Sequence, residues 1–216
     1  MFEDRADAGK RLALALQKYK SENPVVLAIP RGGVEVGYQV ARHLHAQFDI
    51  VIARKLPFPD NPEAGFGALA EDGTCFIFQG AANQYGQYVI DHIIETQQEE
   101  LYRRIGALRA GKPLVNIEGR TVILVDDGIA MGSTMHVCVT MCKNRKAKKI
   151  IVAAPVSSIK SKNDFSAIAD DAVILVTPED FFSVAQEYIN WYDVSDRQVI
   201  DIIHQWEYEK HHVIGH

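Results

Sequence analysis

Apolar residues recur along this chain in two alternating rhythms. Short β-prone runs at 25–29, 49–53, 121–126, 149–154 and 172–177 read as strands, the unbroken ones buried on both faces. Between them the spacing changes to every third or fourth position. Residues 7–20 put Ala8, Leu12, Ala15, Leu16 and Tyr19 on one helical face, and a second helix is expected over 34–45. A long polar helix is predicted over 85–109, with the stripe Ile90, Ile94, Leu101, Ile105 and Leu108, stopping at Gly111-Lys112-Pro113. The last helix begins at Ser195, where Ser195-x-x-Gln198 reads as a capping box, and buries Val199, Ile202, Ile203 and Trp206. Strand and helix in alternation predict an α/β fold: a mostly parallel, Rossmann-like sheet with helices on both faces. Residues 56–73 break the pattern with Pro, Gly and Asp, beside β-like pieces near 66–69 and 75–78. They predict a mobile loop within a hairpin. The expected organisation is one domain over 1–216, with a small hood at about 54–80 and an inserted helix at about 84–112.

Composition narrows the class. The chain has 216 residues, 47% hydrophobic and 24% charged, enough for one large α/β domain with a substantial core. No apolar run reaches membrane-spanning length, and Met1-Phe2-Glu3-Asp4-Arg5 lacks the order of a secretory signal, so the cytoplasm is expected. A net charge of −5 argues against a general nucleic-acid coat. Three cysteines cannot close a disulfide framework, and Cys138 and Cys142, one helical turn apart, fit ordinary helix packing. His43, His45, His211, His212 and His216 lack a ligand constellation and read as surface or tail residues; His136 follows the loop described next and reads as packed or solvated.

The richest chemistry lies at Val122-Ile123-Leu124-Val125-Asp126-Asp127-Gly128-Ile129-Ala130-Met131-Gly132-Ser133-Thr134. A buried strand ends in two carboxylates, a small-residue loop follows, and a helix is expected to start near Thr134. Unpaired backbone N–H groups at such a helix start suit a phosphate, and the carboxylates suit sugar hydroxyls or a hydrated divalent cation. A second candidate follows the first strand, at Pro30-Arg31-Gly32-Gly33: two glycines admit close approach of an anion and Arg31 can clamp phosphoryl oxygens. Its spacing is neither the dinucleotide fingerprint nor a nucleotide-triphosphate loop.

The acidic run resembles the phosphoribosyl-pyrophosphate (PRPP) signature of type I phosphoribosyltransferases. The resemblance implies that Asp126 and Asp127 hold the ribose hydroxyls and reach Mg²⁺ mainly through water. It further implies that Ala130, Met131, Gly132, Ser133 and Thr134 wrap the 5′-phosphate, and that Arg31, Gly32 and Gly33 bind pyrophosphate together with Lys55. Met131 stands where the family usually has Thr, which implies weaker phosphate binding rather than none. Ala130 stands where 6-oxopurine enzymes typically carry Asp, which weakens a hypoxanthine–guanine reading. Residues 52–57 and 71–73 are similar to adenine phosphoribosyltransferases, implying that Arg54 and Lys55 neutralise the leaving group and that Glu71 serves as acid or base. Phe181 and Phe182 resemble a base-stacking segment, although a Phe pair after a strand also suits a core. Arg103, Arg104, Arg109 and Lys112 either reach a phosphorylated acceptor or a neighbouring subunit, or pair with Glu95, Glu99 and Glu100.

Over nearly its whole length the chain is similar to a bacterial and archaeal group of "predicted phosphoribosyltransferases". The shared pieces include Asp4-Arg5, residues 29–34 and 53–56, Asn61-Pro62-Glu63, residues 70–73, and Pro178-Glu179-x-Phe181-Phe182 with Tyr188 and Ser195-Asp196. The implied activity is Mg²⁺-dependent transfer of the phosphoribosyl group to a nitrogenous acceptor. The implied partners are PRPP and a small-molecule acceptor, without membrane or nucleic acid, and a homodimer is left open. The alternative is a PRPP- or nucleotide-sensing regulator on the same fold.

Overall fold

The computed structural model describes residues 1–62, 64–78, 80 and 83–212, apart from the side chain of His211. Glu63 of the Asn61-Pro62-Glu63 motif and the terminal His216 lie outside them. Five strands form the main sheet: β1 (Val25–Ala28), β2 (Gln47–Ile50), β6 (Thr121–Val125), β7 (Lys149–Val156) and β8 (Asp171–Val176). Their order is β2-β1-β6-β7-β8, and every pairing is parallel. The winding direction therefore reverses between β1 and β6, and loops leaving the carboxyl ends of those two strands border the crevice where open α/β sheets bind ligands.

Side chains alternate across the pleat into two cores. Val26, Ala28, Ile123 and Val125 join the core covered by α1 (Arg5–Ala15), α2 (Gly32–Leu44), α3 (Gln87–Arg109) and α6 (Asp196–His212). Val25, Leu27, Val122 and Leu124 join the opposite core, covered by α4 (Ser133–Asn144) and α5 (Ile159–Ile168). Burial on both faces is why these strands are continuously apolar. The capping box at α6 forms as expected: Gln198 N–H donates to Ser195 Oγ, and Ser195 N–H donates to Gln198 Oε1. Helix α5 was not anticipated. Its polar sequence shows weak periodicity, and its start depends on Ser158 Oγ accepting from Ser161 N–H.

The interruption after β2 is more ordered than its composition suggests. A separate antiparallel sheet forms from β3 (Ala53–Pro57), β4 (Gly65–Ala70) and β5 (Cys75–Ile77). Arg54 and Lys55 thus lie within a paired strand, opposite Leu69 and Ala68, rather than at the root of a mobile loop. Residues after β8 fold back over the carboxyl end of the sheet. Phe2 N–H donates to the Glu187 carbonyl, and Ile189 N–H to the Phe2 carbonyl, fastening this tail to the chain start.

Candidate functional site

The crevice is built by two loops in direct contact. Ala28 lies level with Val125, so the Pro30 to Gly33 turn runs beside Asp126 and Asp127. The Pro30–Arg31 peptide is cis. A Cβ on Gly32 would fall on the Asp127 carboxylate, and one on Gly33 would stand 2.9 Å from both Asp126 Cα and the Val125 carbonyl. The glycines are required because the turn lies against the acid pair, leaving no room for a side chain.

The two carboxylates are not equivalent. Asp126 Oδ1 accepts the backbone N–H of Asp127 at 2.8 Å. Burial, and then the neighbouring Asp127 charge, push its carboxyl well above the ordinary carboxylate range. Asp127 is also raised by burial, but Arg5 opposes the shift, its Nε donating to Asp127 Oδ2 at 2.7 Å. Arg5 is 2% exposed. Its guanidinium lies 4.0 Å from the centre of the Trp191 ring and donates to the Tyr192 carbonyl at 2.8 Å. The Tyr192 hydroxyl bonds Glu35, whose carboxyl burial raises, and the Tyr188 hydroxyl donates to the Asp127 carbonyl at 2.6 Å.

Beyond the acids, the loop is shaped from below. Ile129 N–H donates to the Val156 carbonyl, and Ser161 Oγ donates to the Ala130 carbonyl at 2.7 Å. Gly132 caps α4 with φ +77°, and a Cβ there would meet the Phe165 ring at 2.8 Å. The first helical turn bonds from His136 N–H to the Gly132 carbonyl, so the N–H groups of Ser133, Thr134 and Met135 lie ahead of the helical ladder. Met131 is 69% exposed at the tip of this loop.

The structure brings Asp126, Asp127, Arg31, Gly32, Gly33 and the 130–134 loop to one crevice. It treats the remaining expected residues differently. Arg54 turns toward α3, its Nε donating to Gln97 Oε1 at 3.2 Å. Lys55, the next residue of the same strand, points to the opposite face, its stem beside Gly65, so the two cannot grip one anion from this conformation. Glu71 is a buried ion-pair partner. It meets Arg109 at 2.8 Å, accepts from Ile52 N–H at 3.3 Å, and its side chain is 3% exposed. Phe181 packs partly against the cluster of Phe2, Ala8, Val156 and Tyr188, whereas Phe182 is 88% exposed and stacks on nothing described. The basic residues of α3 and the turn after it diverge: Arg103 pairs with Glu100, Arg109 with Glu71, Lys112 with Glu207, and Arg104 faces Asp196.

The sequence did not mark Arg5, Glu35, Tyr188, Trp191 or Tyr192 as a connected group. Asp4-Arg5 and Tyr188 recur in the resemblance, and this was their only signal. Cys138 and Cys142 are buried in the α4 core, where burial pushes the Cys142 thiol up to about 12. His136 stacks on Phe76 at 3.8 Å, and burial lowers its pKa. A cavity of about 770 Å³, lined by Arg42, His45, Phe48, Arg120 and Trp206, opens at the opposite, amino-terminal end of the strands. The acid pair and both glycine turns belong to the carboxyl end.

Proteins of known structure share this fold. The chain is 36% identical over 202 residues to a Mycobacterium tuberculosis protein named "Putative phosphoribosyl transferase", a match covering 93% of this chain and 46% of that one. The chain thus spans about half the length of the curated relatives it matches. A crystal structure of a Thermus thermophilus protein superposes with a TM-score of 0.82 at 35% identity, covering 95% of this chain and 99% of that one. A Neisseria gonorrhoeae protein solved with bound ppGpp shares the fold, with a TM-score of 0.50 at 13% identity over 95% of this chain and 98% of that one. The family model described as "Phosphoribosyl transferase domain" matches residues 3–188, a span containing both crevice loops, the acid pair and the buried Arg5, and the chain belongs to that family.

Proposed function

We propose that this chain binds PRPP in the crevice between β1 and β6 and transfers its 5-phosphoribosyl group to a nitrogen nucleophile of the nucleobase class, releasing pyrophosphate. One observation carries the reading: the Gly32-Gly33 turn lies directly against the Asp126–Asp127 pair, while the α4 start opens beside them. A phosphosugar bearing a pyrophosphate needs those three surfaces in that order. The 5′-phosphate lies on the 131–134 amides and hydroxyls, the ribose hydroxyls on Asp126 and Asp127, and the pyrophosphate on Arg31. In the transfer the bond from C1 to the pyrophosphate oxygen breaks, its electron pair leaves with pyrophosphate, and the acceptor nitrogen forms the new bond to C1. Arg31 and Arg54 stabilise the charge gathering on the leaving group.

Among the described residues, no group of three or more His, Cys, Asp or Glu forms a metal cage. Two carboxylates at a strand end, one already paired to Arg5, suit a hydrated Mg²⁺ that enters with its ligand. Mg²⁺ so held would neutralise pyrophosphate charge.

The test is release of pyrophosphate from PRPP with a panel of bases, together with calorimetric PRPP binding by Asp126→Asn/Asp127→Asn. Unchanged affinity in that double variant would remove the donor site from this crevice. A second reading, a PRPP- or nucleotide-sensing regulator, is favoured by two observations. Met131 lacks the expected hydroxyl, and Glu71 is already paired with Arg109. Tight PRPP binding without pyrophosphate release for any base would select it.

A further inference from the structure

The long helix α3 plays no part in the PRPP reading, yet it points an arginine at the pyrophosphate side of the crevice. Arg104 Nη2 stands 3.6 Å from Asp196 Oδ1, and Arg31 Nη1 stands 3.9 Å from the same oxygen. Neither separation is a hydrogen bond. Arg104 Nε, Arg104 Nη2 and Asp196 Oδ1 are all shielded from solvent without a hydrogen-bond partner. Buried polar atoms are rarely left in that state, and a charged cluster of this kind asks for a missing group. The other acid nearby is already committed: Glu100 makes two 2.7 Å hydrogen bonds with Arg103. Arg54 is anchored to Gln97, two helical turns before Arg104 on the same side of α3. Burial lowers the Arg104 pKa, the Asp196 charge opposes that fall, and the Arg54 and Arg31 charges add to it. Two guanidiniums, Arg31 and Arg104, therefore share one loosely held carboxylate, with Arg54 near enough to Arg104 to repel it.

We propose that Arg104 is a third pyrophosphate-binding arginine, beside Arg31 and Arg54, and that Asp196 is an internal anion held between Arg31 and Arg104 until pyrophosphate displaces it. The inference rests on the PRPP reading above and deepens it. Pyrophosphate offers several oxygens to guanidinium forks, whereas Asp196 presents a single oxygen at ion-pair distance. Asp196 is the first residue of α6, so its release requires no rupture of the Ser195–Gln198 capping box.

Inorganic pyrophosphate, PRPP with Mg²⁺, and ribose 5-phosphate are titrated calorimetrically into Asp196→Asn, Arg104→Met, Arg104→Lys and Arg31→Ala, with thermal melts alongside. Arg104→Met is expected to weaken pyrophosphate and PRPP about tenfold, the loss of a charge-assisted contact, and to leave ribose 5-phosphate unchanged. Arg104→Lys recovers only part of that loss. Asp196→Asn removes the competitor and is expected to tighten pyrophosphate by about threefold or more. Pyrophosphate should also raise the Tm of this variant more than that of the unsubstituted protein. If Asp196→Asn leaves pyrophosphate affinity unchanged or weaker while Arg31→Ala weakens it, the displaced-anion inference is overturned and the pyrophosphate site stands. If Arg31→Ala also leaves pyrophosphate and PRPP unchanged, the underlying reading fails, and this inference with it.

Discussion

At the scale of single residues, the acid pair divides its labour by environment. Asp127 has a buried cation, whereas Asp126 has one backbone N–H and a like charge beside it. Because the folded-state pKa of Asp126 is raised, the folded protein holds its proton to higher pH than the unfolded chain, and stability falls as pH rises through the raised value. Asp126→Asn should accordingly raise Tm at pH 8, by roughly 2–4 °C, with the gain shrinking toward the ordinary carboxylate range. The same variant should lose PRPP affinity. A thermal scan at both pH values checks the first part, and a lower Tm at pH 8 would contradict it. Met131 offers the opposite case, since its exposed side chain can be exchanged without disturbing the core. Met131→Thr should tighten ribose 5-phosphate by about 0.5–1.5 kcal/mol, one hydrogen bond's worth, as read by calorimetry. No gain would mean that the backbone amides already satisfy the phosphate.

At the scale of elements, the crevice is two strand ends roofed by a tail. The strand ends were legible because their chemistry is contiguous: residues 30–33 and 126–134 each carry turn, acid or helix-start signals within a few positions. The roof was not. Arg5 meets Asp127 across 122 residues, and Trp191 and Tyr192 join them from the far end of the chain, so no local period connects them. The Glu71 ion pair was hidden for the same reason: its sequence neighbourhood resembles a loop acid, and its partner Arg109 is 38 residues away. The hairpin boundaries shifted because Ala53-Arg54-Lys55-Leu56 gains strand pairing only once β4 is opposite. Arg5 is the keystone of the roof, which gives a sharp expectation. Arg5→Met leaves Asp127 buried without its cation and should cost about 3–5 kcal/mol in urea unfolding. Arg5→Lys should recover only part of this, because an ammonium cannot reproduce the planar stack on Trp191 together with the contacts to Asp127 and Tyr192. Equal stability of all three proteins would show that the tail is held by other contacts.

At the scale of the whole molecule, one ion pair ties the parts together. Glu71 directly follows β4 of the small sheet, Arg109 ends α3, and both also bond the backbone at the end of β2, at Ile52 N–H and the Ile50 carbonyl. Burial raises the Glu71 pKa, and the Arg109 charge opposes that rise. Removing Arg109 therefore exposes the full cost of a buried carboxylate. Arg109→Met should destabilise by about 3–5 kcal/mol at pH 8, and by less at pH 5. The sign follows from linkage: with its pKa raised further, Glu71 keeps a proton in the folded protein that the unfolded chain has lost, so stability falls as pH rises. Adding Glu71→Gln removes the stranded charge and should return most of the loss at pH 8. The double variant also decides what Glu71 does. As a fastening between hairpin, α3 and sheet, it can be neutralised in this pair with pyrophosphate release changed by less than about tenfold. As a general acid or base it would take with it a factor of about 10²–10⁴. Steady-state release from PRPP with whichever base the panel identifies separates the two, and a loss in the larger range from a folded double variant would return Glu71 to the chemistry.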